Sequence, residues 1–149
     1  MNIEQLAKKT QTRHLKRANI LKSSNFEFVL DSKKAYSYGW WLFCTEVNGK
    51  IIFNNTRYSA STDKHQGKAR QILGYNEDLV LTRTRTSLAN LTEALYSEVQ
   101  GTKAEIRSLI KAIRKPRTHK AKNAERRQEI TRLLKHIAEV RAVKNEVEK

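Results

Sequence analysis

Trp40-Trp41-Leu42-Phe43-Cys44-Thr45-Glu46-Val47-Asn48-Gly49-Lys50-Ile51-Ile52-Phe53-Asn54 is the stretch whose reading decides the fold. Two runs of aromatic and β-branched residues flank Asn48-Gly49, and both turn residues tolerate the positive φ that a type I′ hairpin turn demands. A two-residue turn fixes the register, setting Cys44 opposite Phe53, Leu42 opposite Asn55 and Trp40 opposite Arg57. Alternation then puts Tyr38, Trp40, Leu42, Cys44, Phe53 and Ile51 on one face. The other face receives Trp41, Phe43, Ile52, Asn54, Thr56 and Tyr58. Large side chains on both faces imply helices over one of them and a partly open surface on the other.

On the N-terminal side, Phe26-Glu27-Phe28-Val29-Leu30 alternates as a strand and Asp31-Ser32 reads as a turn. Ser23, Ser24 and Asn25 mark a break before it. Upstream, Ile3, Ala7, Ala18 and Leu21 roughly keep one helical face, although Thr10 and His14 interrupt it, so residues 1–22 are expected to form a basic helix. On the C-terminal side, Ser61 or Thr62 is expected to cap a helix that Gly74 closes near Leu73. Leu79 to Thr84 reads as a further strand. Residues 26–85 thus form a small α+β domain of about three strands.

Residues 86–149 change character. Ser87 is the expected N-cap of a helix whose stripe is Leu88, Leu95, Val99, Ile106, Leu109 and Ile113, and Pro116 stops it. A second stripe, Ile130, Leu133, Ile137, Val140 and Val147, belongs to a helix from about Ala121, with Lys144 its one misfit. Two such helices of about 45 Å, joined by a short turn, fold back on each other. The fold class is therefore α+β: a small antiparallel, hairpin-containing sheet with short helices, then a long antiparallel, coiled-coil-like helical hairpin. Its rivals are two helices that both pack on the sheet, or that pair with a second copy.

Charge points to the partner. The 149 residues carry 30 Lys and Arg against 15 Asp and Glu, a net +15 and a pI near 10.2. Self-repulsion of that size opposes compaction, and its usual counterpart is a polyanion whose counterions are released on binding. The excess sits at the ends: six basic and one acidic in residues 1–25, seven and four in 26–75, three and four in 76–103, fourteen and six in 104–149. The densest cluster is the helix connection, Arg114-Lys115-Pro116-Arg117-Thr118-His119-Lys120-Ala121-Lys122-Asn123-Ala124-Glu125-Arg126-Arg127. It has seven Lys or Arg and one acid. At the end of an arm these side chains reach phosphates, Arg bidentately and Lys as a mobile charge. His119 sits among them.

Three further groups are candidates. Arg83 and Arg85 alternate onto one side of an extended segment, a spacing that suits adjacent phosphates and equally a charged strand edge. Lys64 and Lys68 offer phosphate contacts from the helix that begins near Thr62. Trp41, Phe43 and Tyr58 on one sheet face are either base-stacking rings or core. Trp40 facing Arg57 reads as a structural cation–π pair.

Chemistry is sparse. His14, His65, His119 and His136 have no metal-like spacing, so no metal and no cofactor are expected. Tyr58-Ser59-Ala60-Ser61-Thr62-Asp63-Lys64-His65 reads as a helix cap; a small nuclease centred on His65 is the enzymatic alternative to a chain with no catalytic residues. There is no phosphate loop, nucleophile elbow or defensible acid pair, and no small-molecule substrate is implied. Cys44 is the only cysteine, the opening residues lack a continuous apolar region, and the longest apolar run is Trp40 to Cys44. Together these describe a soluble protein of a reducing cytoplasm with no membrane partner, associated with nucleoid or ribonucleoprotein.

The sequence reading is thus a low-specificity binder of DNA or RNA, undecided between them, in the manner of a small viral or mobile-element accessory protein. The alternative is a protein-interaction module. In it the seams of residues 88–113 and 130–147 pair with another chain or a second copy, and the charge steers it to an acidic partner.

Overall fold

The computed structural model describes residues 2–17, 19–74, 76–115 and 120–149. The Asn48-Gly49 turn forms as its chemistry requires, with φ of 46° and 83°. It joins β5 (Trp41–Val47) to β6 (Lys50–Asn54) with Cys44 opposite Phe53 and Val47 opposite Lys50. The Asn48 amide donates to Glu146 at 2.9 Å, tying the turn to the far end of the last helix.

Around this hairpin the described residues build seven strands in sequence order: β1 (Arg13–Leu15), β2 (Ile20–Ser23), β3 (Phe26–Val29), β4 (Lys34–Ser37), β5, β6 and β7 (Leu79–Thr82). The first six form an antiparallel meander. β7 returns parallel to β6, because α2 (Ala60–Leu73) carries the chain back along the sheet. Three strands was therefore an undercount.

Most of the difference lies at the N-terminus, where the expected 20-residue helix is corrected. α1 spans only Ile3–Thr10, opened by an Asn2–Gln5 capping box. Gln11, in the left-handed region at φ 55°, closes it by donating to the Ala7 and Lys8 carbonyls. The Thr10 hydroxyl bonds the Leu6 carbonyl at 2.8 Å. Arg13–Leu15 then pairs with Ile20–Ser23, so His14 and Leu21 are cross-strand partners. The two residues that spoiled the helical stripe mark where the helix ends and where the first strand lies. Ser24 and Asn25 form the turn between β2 and β3.

The face assignment is corrected as well. Ala35 pairs with Cys44 but Tyr36 with Leu42, so β5 carries one extra residue at Phe43. This bulge breaks the alternation. Trp41 and Phe43 now join Cys44, Ile51 and Phe53 on one side, in a core with Ala7, Leu21, Phe26, Phe28 and Ala69 under α1 and α2. Leu42 turns to the opposite side with Ile52 and Val80. Burying each of the four fully enclosed phenylalanines, Phe26, Phe28, Phe43 and Phe53, contributes about 2–3 kcal/mol. Both faces are covered, so neither is left open. β6 ends at Asn54, before the expected Leu42–Asn55 and Trp40–Arg57 pairs; the Leu42 backbone instead bonds Leu88 and the Ser87 hydroxyl.

Ser87 is thereby occupied, and Asn90 stands at the N-cap position of α3 (Leu91–Ile113). Likewise α2 begins one turn earlier than expected, capped by Ser59, whose hydroxyl accepts from the Thr62 amide. α3 and α4 (Lys120–Val147) pair as a helical hairpin. The seams close on each other and on the sheet: Ala94, Leu95, Val99 and Ile106 meet Leu133, Ile137, Val140 and Val143 over Leu42, Ile52 and Val80. Helical hairpin and packing on the sheet are thus one arrangement. Among the described residues no helix is long and apolar enough to cross a membrane.

Candidate nucleic-acid interface

The end of the helical hairpin is set apart by what it does not bury. Ile106 and Leu133 are the last buried side chains toward the turn, and no described residue from 107 to 132 is buried. At 1.5 Å per residue, roughly 10 Å of α3 and 20 Å of α4 extend past that point. Leu109, Ile110 and Ile130 hold the two helices together there. The exposed side chains around them are mostly Lys and Arg.

Arg114 at the C-cap of α3, Lys115, Lys120, Lys122 and Arg127 are exposed; Arg126 is half-buried, donating to the Asn123 side chain at 3.1 Å. Pro116, Arg117, Thr118 and His119 lie outside the described residues, so Arg117 and His119 have no structural account. Helical register adds two cations that the sequence reading passed over. Arg107 and Lys111 stand four residues apart and Arg114 three further on, which is one exposed stripe of α3. Among the described residues no carboxylate pairs with Arg107, Lys111, Arg114, Lys120, Lys122 or Arg127. Glu129, the nearest acid after Glu125, is engaged by Arg132, whose hydrogen bond holds its carboxyl below 4.5.

The first turn of α4 contains no acid and begins with Lys120 and Lys122. A helix N-terminus carries about half a positive charge, so cations there oppose helix formation and an approaching anion is doubly favoured.

Several of the other candidate positions are committed to the fold. The Arg83 guanidinium pairs with Glu105 at 2.6 Å and its amide donates to Glu98 at 2.8 Å, locking the end of β7 to α3. Arg85 is exposed, and its carbonyl accepts from the Trp41 indole at 3.2 Å. Lys64 is exposed, whereas the Lys68 ammonium donates to the Ser23 hydroxyl at 2.8 Å and lies over the Phe26 ring. Of the three expected stacking rings, Trp41 and Phe43 are core residues, 5% and 0% exposed, because the bulge turns both inward. Tyr58 alone of the three faces solvent.

His65 is half-buried between Phe26 and Tyr38, with Nδ1 2.7 Å from the fully buried Ser37 hydroxyl. Burial and then the Lys68 charge hold its pKa below 6.5. The neighbouring hydroxyls of Ser59 and Thr62 bond each other at 3.1 Å as part of the helix cap. Among the described residues no three His, Cys, Asp or Glu side chains come together as a metal site. Cys44 is buried, and burial, against the opposing pull of Lys33, pushes its thiol up to about 12.

A polar constellation without any signature in the sequence joins sheet, α3 and α4. Glu98, 6% exposed, accepts from the Arg83 amide and meets the His136 Nε2 at 2.9 Å. It borders a cavity of about 350 Å³ lined also by Leu81, Arg132 and Glu139. Mixed signs make this lining unsuited to a polyanion. Comparison with known proteins adds nothing to the geometry: no protein-family model, curated protein or solved structure matches the chain.

Proposed function

We propose that the chain binds DNA or RNA through the basic end of its helical hairpin, chiefly by phosphate contacts and with little sequence preference. The observation that carries this reading is the set of exposed cations at that end, Arg107, Lys111, Arg114, Lys120, Lys122 and Arg127, with no carboxylate partner among the described residues. Cations elsewhere are often spent on the fold, as Arg83 and Lys68 are. Among the described residues, Arg107, Lys111, Arg114, Lys120, Lys122 and Arg127 have no such ion pair. No sequence-reading helix or zinc module enters the proposal, so affinity comes from charge and register rather than base edges. No reaction is assigned to it, and a cytoplasmic, nucleoid- or ribonucleoprotein-associated location goes with it.

The test is fluorescence anisotropy with duplex and single-stranded DNA and RNA over a salt series. It compares the wild-type chain with a variant carrying Gln at positions 114, 115, 117, 120 and 122. Each neutralised phosphate contributes about −0.9 to the slope of log K against log salt on a duplex. Loss of five cations therefore lowers the slope magnitude by up to about 4.5. Equal affinity and equal slope in the two proteins overturns the assignment to this end. Failure of the wild type to bind any nucleic acid at moderate salt overturns the function and returns the charge to an acidic protein partner.

A further inference from the structure

A second surface lies at the opposite kind of place, a rim of the sheet rather than the end of an arm. Three of the large hydrophobic side chains most exposed in the structure gather there: Trp40 at 66%, Tyr58 at 62% and Tyr38 at 47%. Tyr38 and Trp40 flank Gly39 in the turn between β4 and β5, and Tyr58 precedes the cap of α2.

Tyr58 is the outermost ring of a column. Phe43 in the core stacks on Trp41 at 5.8 Å with the planes 29° apart, and Trp41 stacks on Tyr58 at 6.0 Å and 30°. The column is fixed at its middle by the Trp41 indole bond to the Arg85 carbonyl and at its base by the edge of Phe53. It ends in a positioned aromatic face open to solvent. Tyr38 stands in the tight turn between β4 and β5. It holds φ at 57°, where Gly or Asn would be less strained than a bulky aromatic, while its ring packs edge-on against His65.

The charge on the segments that carry these rings is mainly positive. Arg57, next to Tyr58, Lys64, next to His65, and Arg85, whose carbonyl holds Trp41, are exposed, and Asp63 is the only acid in residues 34–42, 55–70 and 83–90. Rigid ring faces with cations between them are what a strand with splayed bases needs. Every base has a π-face to stack, and its phosphates follow the cations. A duplex, with its bases stacked internally, offers these rings nothing.

We infer that Tyr58, Trp40 and Tyr38 bind unpaired nucleotides by stacking, with Arg57, Lys64 and Arg85 on the adjoining phosphates. The inference rests on the nucleic-acid reading and narrows it: the ligand contains a single-stranded segment, read by the rim, besides whatever the hairpin end holds. Trp41 and Phe43 act as the pillar beneath, not as the platform.

The experiment measures anisotropy of fluorescein-labelled dT12, rU12 and a 20-base-pair duplex with the full chain and with Tyr58→Ala, Trp40→Ala and Tyr58→Phe. Tyr58→Ala and Trp40→Ala are expected to weaken dT12 or rU12 binding about 5- to 150-fold each, the usual range for one lost stacking ring. Duplex binding stays within about 2-fold, and Tyr58→Phe, which keeps the ring, binds as the wild type does. Intrinsic fluorescence gives an independent readout, since stacking on Trp40 quenches it and Trp40→Phe removes that quench. The larger effect, on dT12 or on rU12, names the sugar. If the wild type binds duplex but neither oligomer, or binds the oligomers with no loss in either alanine variant, the rim is not the site and the hairpin reading stands. If it binds no nucleic acid, both fall together.

Discussion

Replacing Glu98 by Gln tests whether charge at the junction of sheet, α3 and α4 holds the arm on the core. The carboxylate has two hydrogen-bond partners, the Arg83 amide at 2.8 Å and His136 Nε2 at 2.9 Å, and it is almost wholly buried. Burial pushes its pKa up. The hydrogen bonds from His136 and the Arg83 amide, with a further electrostatic pull from both residues, outweigh that and leave it below 4.5. Gln keeps the shape, but its amide has one acceptor oxygen where the carboxylate has two. If the oxygen serves Arg83, the amide nitrogen confronts His136 and forces the other tautomer. Hydrogen bonds to a charged group contribute about 1.5–3 kcal/mol and neutral ones about 0.5–1.5, so the swap costs about 1–2 kcal/mol across the two bonds. In a chain of this size that lowers Tm by about 2–8 °C.

The pH dependence separates charge from packing. With the folded pKa below the unfolded value of 4.5, the unfolded chain binds more protons between the two. The stabilisation is therefore complete above 4.5 and lost as pH falls through the folded pKa. Urea unfolding followed by circular dichroism at pH 7, 5, 4 and 3 should show wild type and Glu98→Gln furthest apart at pH 7 and converging at pH 3. A gap of the same size at pH 3 would mean that shape, not charge, matters at this position. No gap at pH 7 would refute the reasoning outright.

Two other expectations are accessible to simple measurements. His65 should titrate below 6.5 by NMR. Lys68→Gln should move its midpoint up only part of the way, because burial is the larger cause; a wild-type midpoint at or above 6.5 would contradict the packing between Phe26 and Tyr38. Because charging that ring is disfavoured in the fold, its contribution to stability is present above 6.5 and declines as pH falls through the folded pKa. At the hairpin end, Lys120→Gln with Lys122→Gln removes two cations from a helix N-terminus, each opposed by about 0.3–1 kcal/mol at low salt. That double variant should melt about 1–8 °C higher while binding nucleic acid less well; a lower Tm would show that these lysines serve the fold.

What could be read from the sequence was what short-range chemistry dictates. Asn48-Gly49 admits one turn type, and the turn alone set Cys44 against Phe53. The stripes of α3 and α4 found each other because only a mutual seam buries Leu133, Ile137 and Val140. The N-terminal segment misled because apolar residues at 3, 7, 18 and 21 keep helical spacing by coincidence. What ends the helix is a left-handed Gln11, and Asn19, also left-handed, lies in the turn between the two short strands that follow. The Phe43 bulge was equally hidden, since an extra residue leaves no mark on a strand that is apolar throughout.

The same distinction governs the candidate site. That the chain is cationic is a property of composition, but which cations are available is a property of long-range contacts. Arg83 and Arg114 are alike in sequence; one is held by Glu105, twenty-two positions away, and the other has no carboxylate within reach among the described residues. Lys64 and Lys68 differ by one helical turn, and only the second meets Ser23. Ring availability follows the same rule. Alternation grouped Trp41 with Tyr58, and the two do stack, yet the bulge put one in the core and left the other at its surface. A stacking ring must be both rigid and open, and in this fold rigidity is supplied by the buried members of the column while openness belongs to its last ring. The buried half of the column was legible as aromatic residues on a strand; that its free end is Tyr58, open to solvent, required the sheet to be assembled first.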